Sequence, residues 1–507
     1  MQLRSIYRTQ YLSHQGQLKR HMSMNLRKKV FVAFICFLIP TIGNTQSIDA
    51  NKNKLPEIGV VASDTLTIDK EVLIGKAIMR QLRGQAPIIH DPVINEYIQG
   101  LGNRLVIEAD NAKFPFSFFM INNSAINAFA FFGGHIGIHS GLITQAGSES
   151  ELASVFAHEV AHVTQRHLAR ASQAQKRSAP LQIATLIGGI LLAMADPEAG
   201  IAAISAGNAG AAQSRINYTR SMEQEADNIG ITMLARAGFD PAGAPAFFSK
   251  LAQQSRGQSN QLEFLRTHPV PENRISETRA RAATYGTRNV PESLNFHLVK
   301  SRIIARYEGN PLRNISYFSY QVKENKHVFR EAALYGLALS YFASEQYASA
   351  SQILTDLLIE DSENLFYLDV MTDVLIAQNK PKAAIEMLTP LWRFKPQNKV
   401  LALNLANAMI KAEQYPEAIQ ILRDVLLVHP EHFLSYSLLI DAYIATGQKR
   451  QMYKASAERF GLLLAYPKAI DELQFAYNET GMDFLEKQRI KARIEQFRNE
   501  IATLERL

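Results

Sequence analysis

A repeat of 34 residues in the second half of the chain is the feature that most restricts its fold. Three copies follow one another between residues 331 and 432 without an insertion. Four kinds of position recur at this spacing: Ala350, Ala384 and Ala418; Leu354, Leu388 and Leu422; Pro396 and Pro430; and Tyr341, Leu375, Met409 and Tyr443. A fixed period of this length, with helical apolar spacing inside each copy, predicts pairs of helices that stack on their neighbours.

The helix pairs resemble tetratricopeptide repeats, which have small residues where two helices cross closely and a proline after the second helix. Three clear copies and two looser terminal ones occupy residues 331–364, 365–398, 399–432, 297–330 and 433–466. We therefore predict an α-solenoid over 297–480 and a C-terminal helix over 481–507. A plain helical bundle is the alternative, but accidental spacing does not explain four columns in phase. Because such a solenoid has a concave face that holds peptides or protein segments, this half is expected to bind proteins.

Residues 1–45 carry all of the excess positive charge. They contain seven Lys or Arg residues and no acid, which accounts for the whole formal net charge of +7. The rest of the chain is therefore neutral, and no global field would steer it to a polyanion. We expect no nucleic-acid partner.

The same segment has the organisation of a secretory signal. A basic stretch precedes an apolar run within 25–40, and small or polar residues follow. The run is too short to span a bilayer as a helix. We predict that residues 1–46 are an N-terminal extension and a cleaved signal, cut near 43–47, with no stable transmembrane insertion afterwards. A retained anchor is the alternative, and translation could begin at Met22 or Met24.

The cysteine content agrees with an exported protein. Cys36 is the only cysteine and lies inside the apolar run, so the mature chain would contain none. It lacks the small preceding residue of a lipoprotein signal, so we expect no lipid attachment. A large protein without disulfides suits a bacterial periplasm better than an animal extracellular fluid.

Residues 47–290 are predicted to form a separate α+β domain that is mostly helical. Helical apolar spacing covers most of 69–112, and β-branched and aromatic residues at 114–121 indicate a strand. Residues 127–142 indicate a further strand pair with a Gly-Gly turn. A helix follows, with Ser148 placed to cap it.

Residues 181–211 are rich in Ala, Gly and Ile. Their two apolar runs flank an Asp-Pro-Glu sequence, and each run is too short for a transmembrane helix. A buried helical hairpin is the simpler interpretation. A flap that touches a membrane or a partner is the alternative, and the sequence leaves this open.

The sequence His-Glu-Val-Ala-His at 158–162 predicts a metal site on the helix that follows Ser148. Histidines four positions apart share one helix face, so His158 and His162 can bind one cation. Zinc in such a site makes water acidic, and the neighbouring Glu159 can take the proton during attack on a peptide bond. A pattern this short also arises by chance, so a third ligand is needed.

Glu223 is the candidate third ligand. A helix is predicted from about residue 221, and Glu223 and Asp227 lie four apart on one face of it. Asp227 could accept the outer imidazole proton of a ligand histidine and fix its orientation. Glu225 points elsewhere and is the less favoured ligand. His167 follows His162 by five positions, on another helix face, and is expected to be solvated. An ordinary acidic helix start is the alternative for these acids.

Together these motifs resemble the gluzincin peptidases of the Ste24/HtpX superfamily. The segments that carry the resemblance are His-Glu-Val-Ala-His, Glu-Gln-Glu-Ala-Asp at 223–227, Asn-Ala-Phe-Ala-Phe-Phe-Gly-Gly at 127–134 and Thr-His-Pro-Val-Pro-Glu-Asn-Arg at 267–274. With the signal and the repeats, the chain is similar to the periplasmic members that carry C-terminal tetratricopeptide repeats, over about residues 55–480. The membrane-embedded branch fits less well because the chain lacks several long apolar spans.

The resemblance implies a zinc endopeptidase with one Zn2+ per chain. It implies zinc ligands at His158, His162 and Glu223, a general base at Glu159 and a catalytic role at Asp227, for which we favour orientation of a ligand histidine. The implied clients are unfolded or misassembled outer-membrane protein precursors, degraded or chaperoned in the periplasm. The implied partner is the outer-membrane β-barrel assembly machinery.

Strand 131–140 resembles the edge strand that pairs with extended substrate in such proteases. An edge strand offers free N–H and C=O groups to any sequence, which suits broad specificity. His135 and His139 would face the same side of it. A second metal site is one interpretation, but no third ligand is apparent, so substrate-side or surface histidines are preferred.

His268 is a candidate regulatory fourth ligand. Catalytic zinc keeps one position open, and His268 lies between Thr267 and Pro269 in a proline-stiffened loop. We hypothesise that it occupies the open position and holds the enzyme latent until substrate moves the loop; a structural histidine is the alternative. The alternative function is a holdase or scaffold of the assembly machinery with latent or little-used proteolysis.

Overall fold

The computed structural model describes residues 66–174, 220–256, 264–265, 268, 270 and 272–506. The predicted extension and signal at 1–46 and the apolar segment at 181–211 lie outside the described residues. The expected fold class is confirmed: helices dominate, with a small sheet in the first half and paired helices through the second. Among the described helices, none is long and apolar enough to cross a membrane.

The first half of the described chain surrounds a short sheet with helices. Before and within the sheet come α1 (Ile68–Gln85), α2 (Pro92–Val106), β1 (Ser117–Ile121), β2 (Ala128–Phe131) and β3 (His135–His139). After it come α3 (Ser140–Gln145), α4 (Glu149–Thr164), α5 (His167–Ala174), α6 (Arg220–Arg236), α7 (Gly243–Arg256) and α8 (Glu272–Ala283).

The strand order is β1-β3-β2, with β3 parallel to β1 and antiparallel to β2. Gly133 and Gly134, both with positive φ, form the predicted turn between β2 and β3. The expectation that strand 131–140 is an edge strand is wrong, because β3 has a neighbour on each side. Among the described residues, β2 is the edge strand on that side of the sheet. The connection from β1 to its parallel neighbour β3 runs through β2, so no tight turn in the sequence marks this pairing.

The second half of the chain consists of paired helices. The pairs are α9 (Leu294–Tyr307) with α10 (Pro311–Lys323), α11 (Arg330–Ala343) with α12 (Tyr347–Glu360), α13 (Leu365–Ala377) with α14 (Pro381–Phe394), α15 (Lys399–Lys411) with α16 (Tyr415–Val428), α17 (Phe433–Ala445) with α18 (Lys449–Leu462), and α19 (Tyr466–Asn478) with α20 (Phe484–Leu504). The second helices of four successive pairs begin 34 residues apart, at Tyr347, Pro381, Tyr415 and Lys449. The predicted repeat is confirmed, and the domain limits 47–290, 297–480 and 481–507 stay predictions.

The recurring alanines and leucines explain why the repeat exists. In α14, Ala384 and Leu388 are the buried residues, and the equivalent Ala350 and Leu354 of α12 are also fully buried. A small residue lets neighbouring helices approach closely, and the leucine one turn later fills the space beside it.

The first helices of the pairs are buried on more than one side. In α13 every residue from Phe366 to Val374 is buried, and α15 is similar from Val400 to Ala408. A helix whose consecutive residues are all buried is covered on every side by its neighbours. One side of these helices packs within the array, and another contacts α2 of the first half. This face of the array is therefore covered by α2 of the same chain in this region.

Buried charges fix α2 inside the array. Asp91 caps α2 by accepting a hydrogen bond from Ile94 N at 3.2 Å. Arg302 of α9 donates through Nε to Asp91 Oδ2 over 2.7 Å, and its Nη2 lies 2.5 Å from Asp369 Oδ2. All three charged side chains are buried. Removing one partner would leave an uncompensated buried charge, so these pairs hold the two halves in one arrangement.

Candidate metal centre

Helix α4 carries the His-Glu-Val-Ala-His sequence through the core of the first half. Ser148 caps it, accepting a hydrogen bond from Glu151 N at 3.2 Å, as predicted. Every residue from Leu152 to Thr164 is buried. Polar side chains in such a helix are stable only with partners, which the neighbouring elements supply.

Helix α6 lies close enough to α4 to bring carboxylates to the histidines. Gly230 permits this approach, because a Cβ there would lie 3.2 Å from the His158 backbone nitrogen and the Ala157 carbonyl carbon. Glu223 and Asp227 are both buried and both approach His158.

Four buried side chains converge on one point. One ligand atom each from His158, His162, Glu223 and His268 lies within 4.8 Å of all the others. His158 Nε2 is 2.9 Å from His162 Nε2 and 3.6 Å from Glu223 Oε2. His268 Nδ1 is 3.2 Å from both Glu223 carboxylate oxygens. Imidazoles with a carboxylate are the donors that zinc prefers, so these residues fit a divalent metal.

Asp227 and Arg274 hold the outer side of this cluster. His158 Nδ1 lies 3.0 Å from Asp227 Oδ1, which places the carboxylate to accept the outer imidazole proton. Arg274 donates through Nε to Asp227 Oδ2 over 2.8 Å and through Nη1 to Glu223 Oε2 over 2.7 Å. Sequence reasoning missed Arg274. The only signal was its place at the end of the 267–274 segment, since one arginine near a helix start does not indicate its partners.

Burial and neighbouring charges shift the pKa values of these groups in opposite directions. Burial alone would lower the pKa of His158, but Asp227 and Glu223 raise it to about 10. Burial alone would raise the pKa of Asp227, but His158 and Arg274 lower it. For Glu159 burial prevails over the nearby histidines and raises the pKa of its carboxyl. The protein thus keeps Asp227 ionised and makes Glu159 a better proton acceptor than an exposed carboxylate.

Glu159 lies between His268 and the edge strand. Its carboxyl is fully buried, with Oε1 3.4 Å from His268 Nε2. The backbone of Ala130 in β2 approaches this carboxyl closely enough to oppose the rise in its pKa. The edge strand that adjoins Glu159 is therefore β2.

His167 is fully buried, so the expectation that it is solvated is wrong. Helix α4 ends at Thr164, and Arg166 has a φ of 51°, which interrupts the helix before α5. His167 Nδ1 consequently lies 2.8 Å from His162 Nδ1. The prediction assumed one continuous helix, in which a residue five positions on faces away. Glu225 lies outside the donor cluster and contacts His167 Nε2 at 3.1 Å.

His135 and His139 join no metal-ligand cluster within the described ranges. His135 Nδ1 lies 3.0 Å from Ser117 Oγ, and its ring stacks on Phe131. His139 is buried with its ring against the edge of Phe129. The interpretation of His139 as a surface histidine is therefore wrong. His139 is the last residue of β3, which lies between two other strands.

Known proteins match both halves of the chain. Peptidase family M48 matches residues 92–282, and a tetratricopeptide repeat matches 375–439. A putative beta-barrel assembly-enhancing protease of Vibrio cholerae is 44% identical, over 90% of this chain and 94% of that protein. The beta-barrel assembly-enhancing protease of Escherichia coli K12 is 41% identical, over 94% of this chain and 98% of its own. This chain belongs to that family.

More distant relatives share a smaller part. The mitochondrial metalloendopeptidase OMA1 of Arabidopsis thaliana is 33% identical over 30% of this chain and 28% of its own length. The M48 match spans α4, α6 and His268, and so contains all four converging donors. The chain is an M48 metalloprotease with a C-terminal tetratricopeptide-repeat region, and the family resemblance is confirmed.

Proposed function

We propose that this chain is a zinc endopeptidase of the periplasm that cleaves unfolded or misassembled outer-membrane β-barrel precursors. The observation that carries the proposal is the buried convergence of His158, His162 and Glu223 beside the carboxyl of Glu159. Zinc suits these nitrogen and carboxylate donors, whereas magnesium and calcium favour oxygen ligands. We propose one ion per chain at this cluster.

His158, His162 and Glu223 are proposed to hold the metal, and Glu159 is proposed to act as general base. Bound zinc supplies Lewis acidity, lowering the pKa of water and polarising a peptide carbonyl. Glu159 takes a proton onto its carboxylate and can pass it to the leaving amine. Its buried surroundings favour the protonated form, which makes this uptake easier.

Asp227 is proposed to orient His158 rather than to touch the substrate. Its distance of 3.0 Å from His158 Nδ1 supports this role. Arg274 bridges Asp227 and Glu223, and its positive charge offsets the repulsion between these two ionised acids beside one imidazole.

Extended substrate is proposed to add to β2. An added strand forms backbone hydrogen bonds with any sequence, and the position of Ala130 beside Glu159 would bring its peptide bonds to the base. This supports broad cleavage of unfolded chains.

The relatives named for β-barrel assembly support a role in that process, including chaperone action and contact with the assembly machinery. The signal-like segment at 1–46 supports the periplasmic location. Ile359, Phe394 and Leu427, near the ends of three successive second helices, are 75–84% exposed and offer apolar contacts to a client. A client held there would have a raised effective concentration at the metal centre.

One observation favours the second candidate function, a holdase or scaffold whose proteolysis is latent. His268 is 1% exposed and lies 3.2 Å from Glu223 and 3.4 Å from Glu159. We propose that its ring takes the place of a substrate carbonyl beside these two carboxyl groups. The ring of Phe264, stacked at 4.9 Å, helps to hold it there.

The test compares the purified chain with Glu159→Gln, which keeps the three proposed ligands and removes the base. Zinc content is measured in both, and each is incubated with an unfolded outer-membrane barrel protein. We expect zinc in both and cleavage by the unsubstituted chain alone. Zinc in both without cleavage by either would favour the holdase, and no zinc in either would overturn the proposal.

A further inference from the structure

His162 is held on its outer side by another histidine. Its Nε2 faces the donor cluster, 2.9 Å from His158 Nε2, so its Nδ1 points away from the cluster. That Nδ1 lies 2.8 Å from His167 Nδ1, with the two rings inclined by 78°. A neutral imidazole that uses Nε2 as a ligand carries its proton on Nδ1. His162 therefore donates this hydrogen bond and His167 accepts it.

Glu225 lies on the far side of His167. When Nδ1 of a neutral His167 accepts, Nε2 carries the proton and donates it to Glu225 Oε2, 3.1 Å away. Arg170 Nη1 donates to the same oxygen over 2.9 Å. The contacts run from the buried cluster to a carboxylate whose side chain is 33% exposed.

The turn between α4 and α5 brings His167 into this position. Arg166 adopts a positive φ, which is unfavourable for a residue with a Cβ. Its guanidinium is buried, and Nε donates to Glu71 Oε1 over 2.8 Å while Nη2 donates to Leu66 O over 2.6 Å. These contacts with the start of α1 hold the turn at Arg166.

We propose that His167 is a positioning residue that fixes the ring of His162 for metal binding, and that Glu225 acts through His167. This inference rests on the proposed metal centre. It assigns one task to each acid of the Glu-Gln-Glu-Ala-Asp sequence on α6. Glu223 faces the metal position, Asp227 orients His158 directly, and Glu225 orients His162 through His167.

The two imidazoles are thus oriented by different means. A carboxylate contacts His158 and a neutral imidazole contacts His162, so the second contact carries less negative charge toward the metal. Outer partners of this kind alter metal affinity by about 10–100-fold when removed. His167 reaches the cluster through His162, so its loss should weaken metal binding before it affects the base.

The experiment measures zinc affinity by chelator competition on the purified chain and on His167→Phe, which keeps a planar ring and removes both nitrogens. Thermal unfolding without metal and the visible spectrum of the cobalt-substituted proteins are recorded beside it. His432→Phe is the matched control, because His432 lies in the solenoid and contacts Ser435 Oγ at 2.9 Å. His167→Asn, with a polar atom near the Nδ1 position, is the rescue variant, and Glu225→Gln tests the outer partner.

We expect roughly 10–100-fold weaker zinc affinity and an altered cobalt spectrum for His167→Phe. His432→Phe should match the unsubstituted chain, and His167→Asn and Glu225→Gln should fall between. His167→Phe combined with Glu225→Gln should be no weaker than His167→Phe alone. Unchanged affinity and spectrum in His167→Phe would overturn the inference. If that variant does not fold, unchanged values in both His167→Asn and Glu225→Gln would do so. An unsubstituted chain without zinc would instead overturn the proposed function.

Discussion

Arg274 Nη1 lies 2.7 Å from Glu223 Oε2, so a carboxylate that faces the donor cluster is also half of a buried ion pair. The same guanidinium contacts Asp227 and lies over the ring of Phe248, 5.1 Å from its centre. One side chain of α8 thus contacts two acids of α6, Glu223 and Asp227. The donor cluster depends on this junction as well as on the motif in α4.

Substituting Arg274 by methionine should therefore destabilise the metal-free protein. Glu223 and Asp227 would keep buried charges without their cation, which typically costs about 3–5 kcal/mol. Urea unfolding of the metal-free protein measures the change. Arg236→Met is the control, because its partner Asp110 is exposed and such pairs contribute less than about 1 kcal/mol. If both variants lost the same free energy of unfolding, the role given to Arg274 would be contradicted.

Replacing His268 by alanine should increase proteolysis. The change removes the ring between Glu223 and Glu159 while leaving the three proposed ligands in place. We expect severalfold faster cleavage of an unfolded barrel protein at unchanged zinc content. The double variant with Glu159→Gln should be inactive. A His268→Ala protein that folds, binds zinc and cleaves no faster would show that His268 is not a latch.

Gly230→Ala should weaken metal binding. Its new Cβ would lie 3.2 Å from backbone atoms of Ala157 and His158 in α4. Because these are backbone atoms, the crowding would be relieved by moving α6 and its carboxylates away from the histidines. Chelator competition and circular dichroism measure affinity and helix content. Gly100→Ala is the matched control, because nothing lies within 4 Å of its Cβ position in α2. Gly100→Ala should leave the free energy of unfolding unchanged or raise it by up to about 1 kcal/mol. Similar zinc affinities in both would contradict the close approach.

The contact between the two halves at Asp91 should contribute less to stability in acid. Burial alone would raise the pKa of Asp91, but the guanidiniums of Arg302 and Arg306 lower it below its ordinary value. A lowered pKa in the folded state stabilises above the unfolded pKa of about 3.9, and this stabilisation is lost as pH falls through the folded value. Tyr307, whose hydroxyl donates to Asp91 over 3.0 Å, stays neutral throughout.

Unfolding measured between about pH 6 and pH 3 checks this dependence. Asp91→Asn should be less stable at neutral pH and should lose less stability on acidification. Because the unsubstituted chain alone has this carboxylate to protonate, the two curves should converge toward low pH. Parallel curves would show that Asp91 does not contribute to the acid dependence.

The sequence predicted features that local chemistry determines. The recurring alanines and leucines gave the period of the helix pairs, and Ser148 gave the start of α4. The spacing of His158 and His162, and of Glu223 and Asp227, gave positions that the structure brings together. Helix periodicity alone relates the members of each pair.

The features that sequence reasoning missed depend on contacts that no local pattern indicates. Nothing local indicates that β1 lies beside β3, so the sequence alone does not identify β2 as the edge strand. Arg166, with its positive φ, is held by Glu71, 95 positions earlier, so the sequence alone does not place His167 beside His162. Periodicity shows that a residue is buried but not which element covers it.

The position of α2 within the solenoid has a consequence for how this protein can diversify. Repeat arrays usually gain or lose units easily, because each unit contacts only its neighbours. Here Asn398 donates to Glu96 over 2.9 Å, and Phe433 stacks on His90 at 4.9 Å, from two successive pairs. Duplicating or deleting one pair between Arg302 and Asn398 would shift these partners by a whole unit. The number of helix pairs between Arg302 and Asn398 is therefore constrained by α2. A change in that number would require matching changes in the first half of the chain.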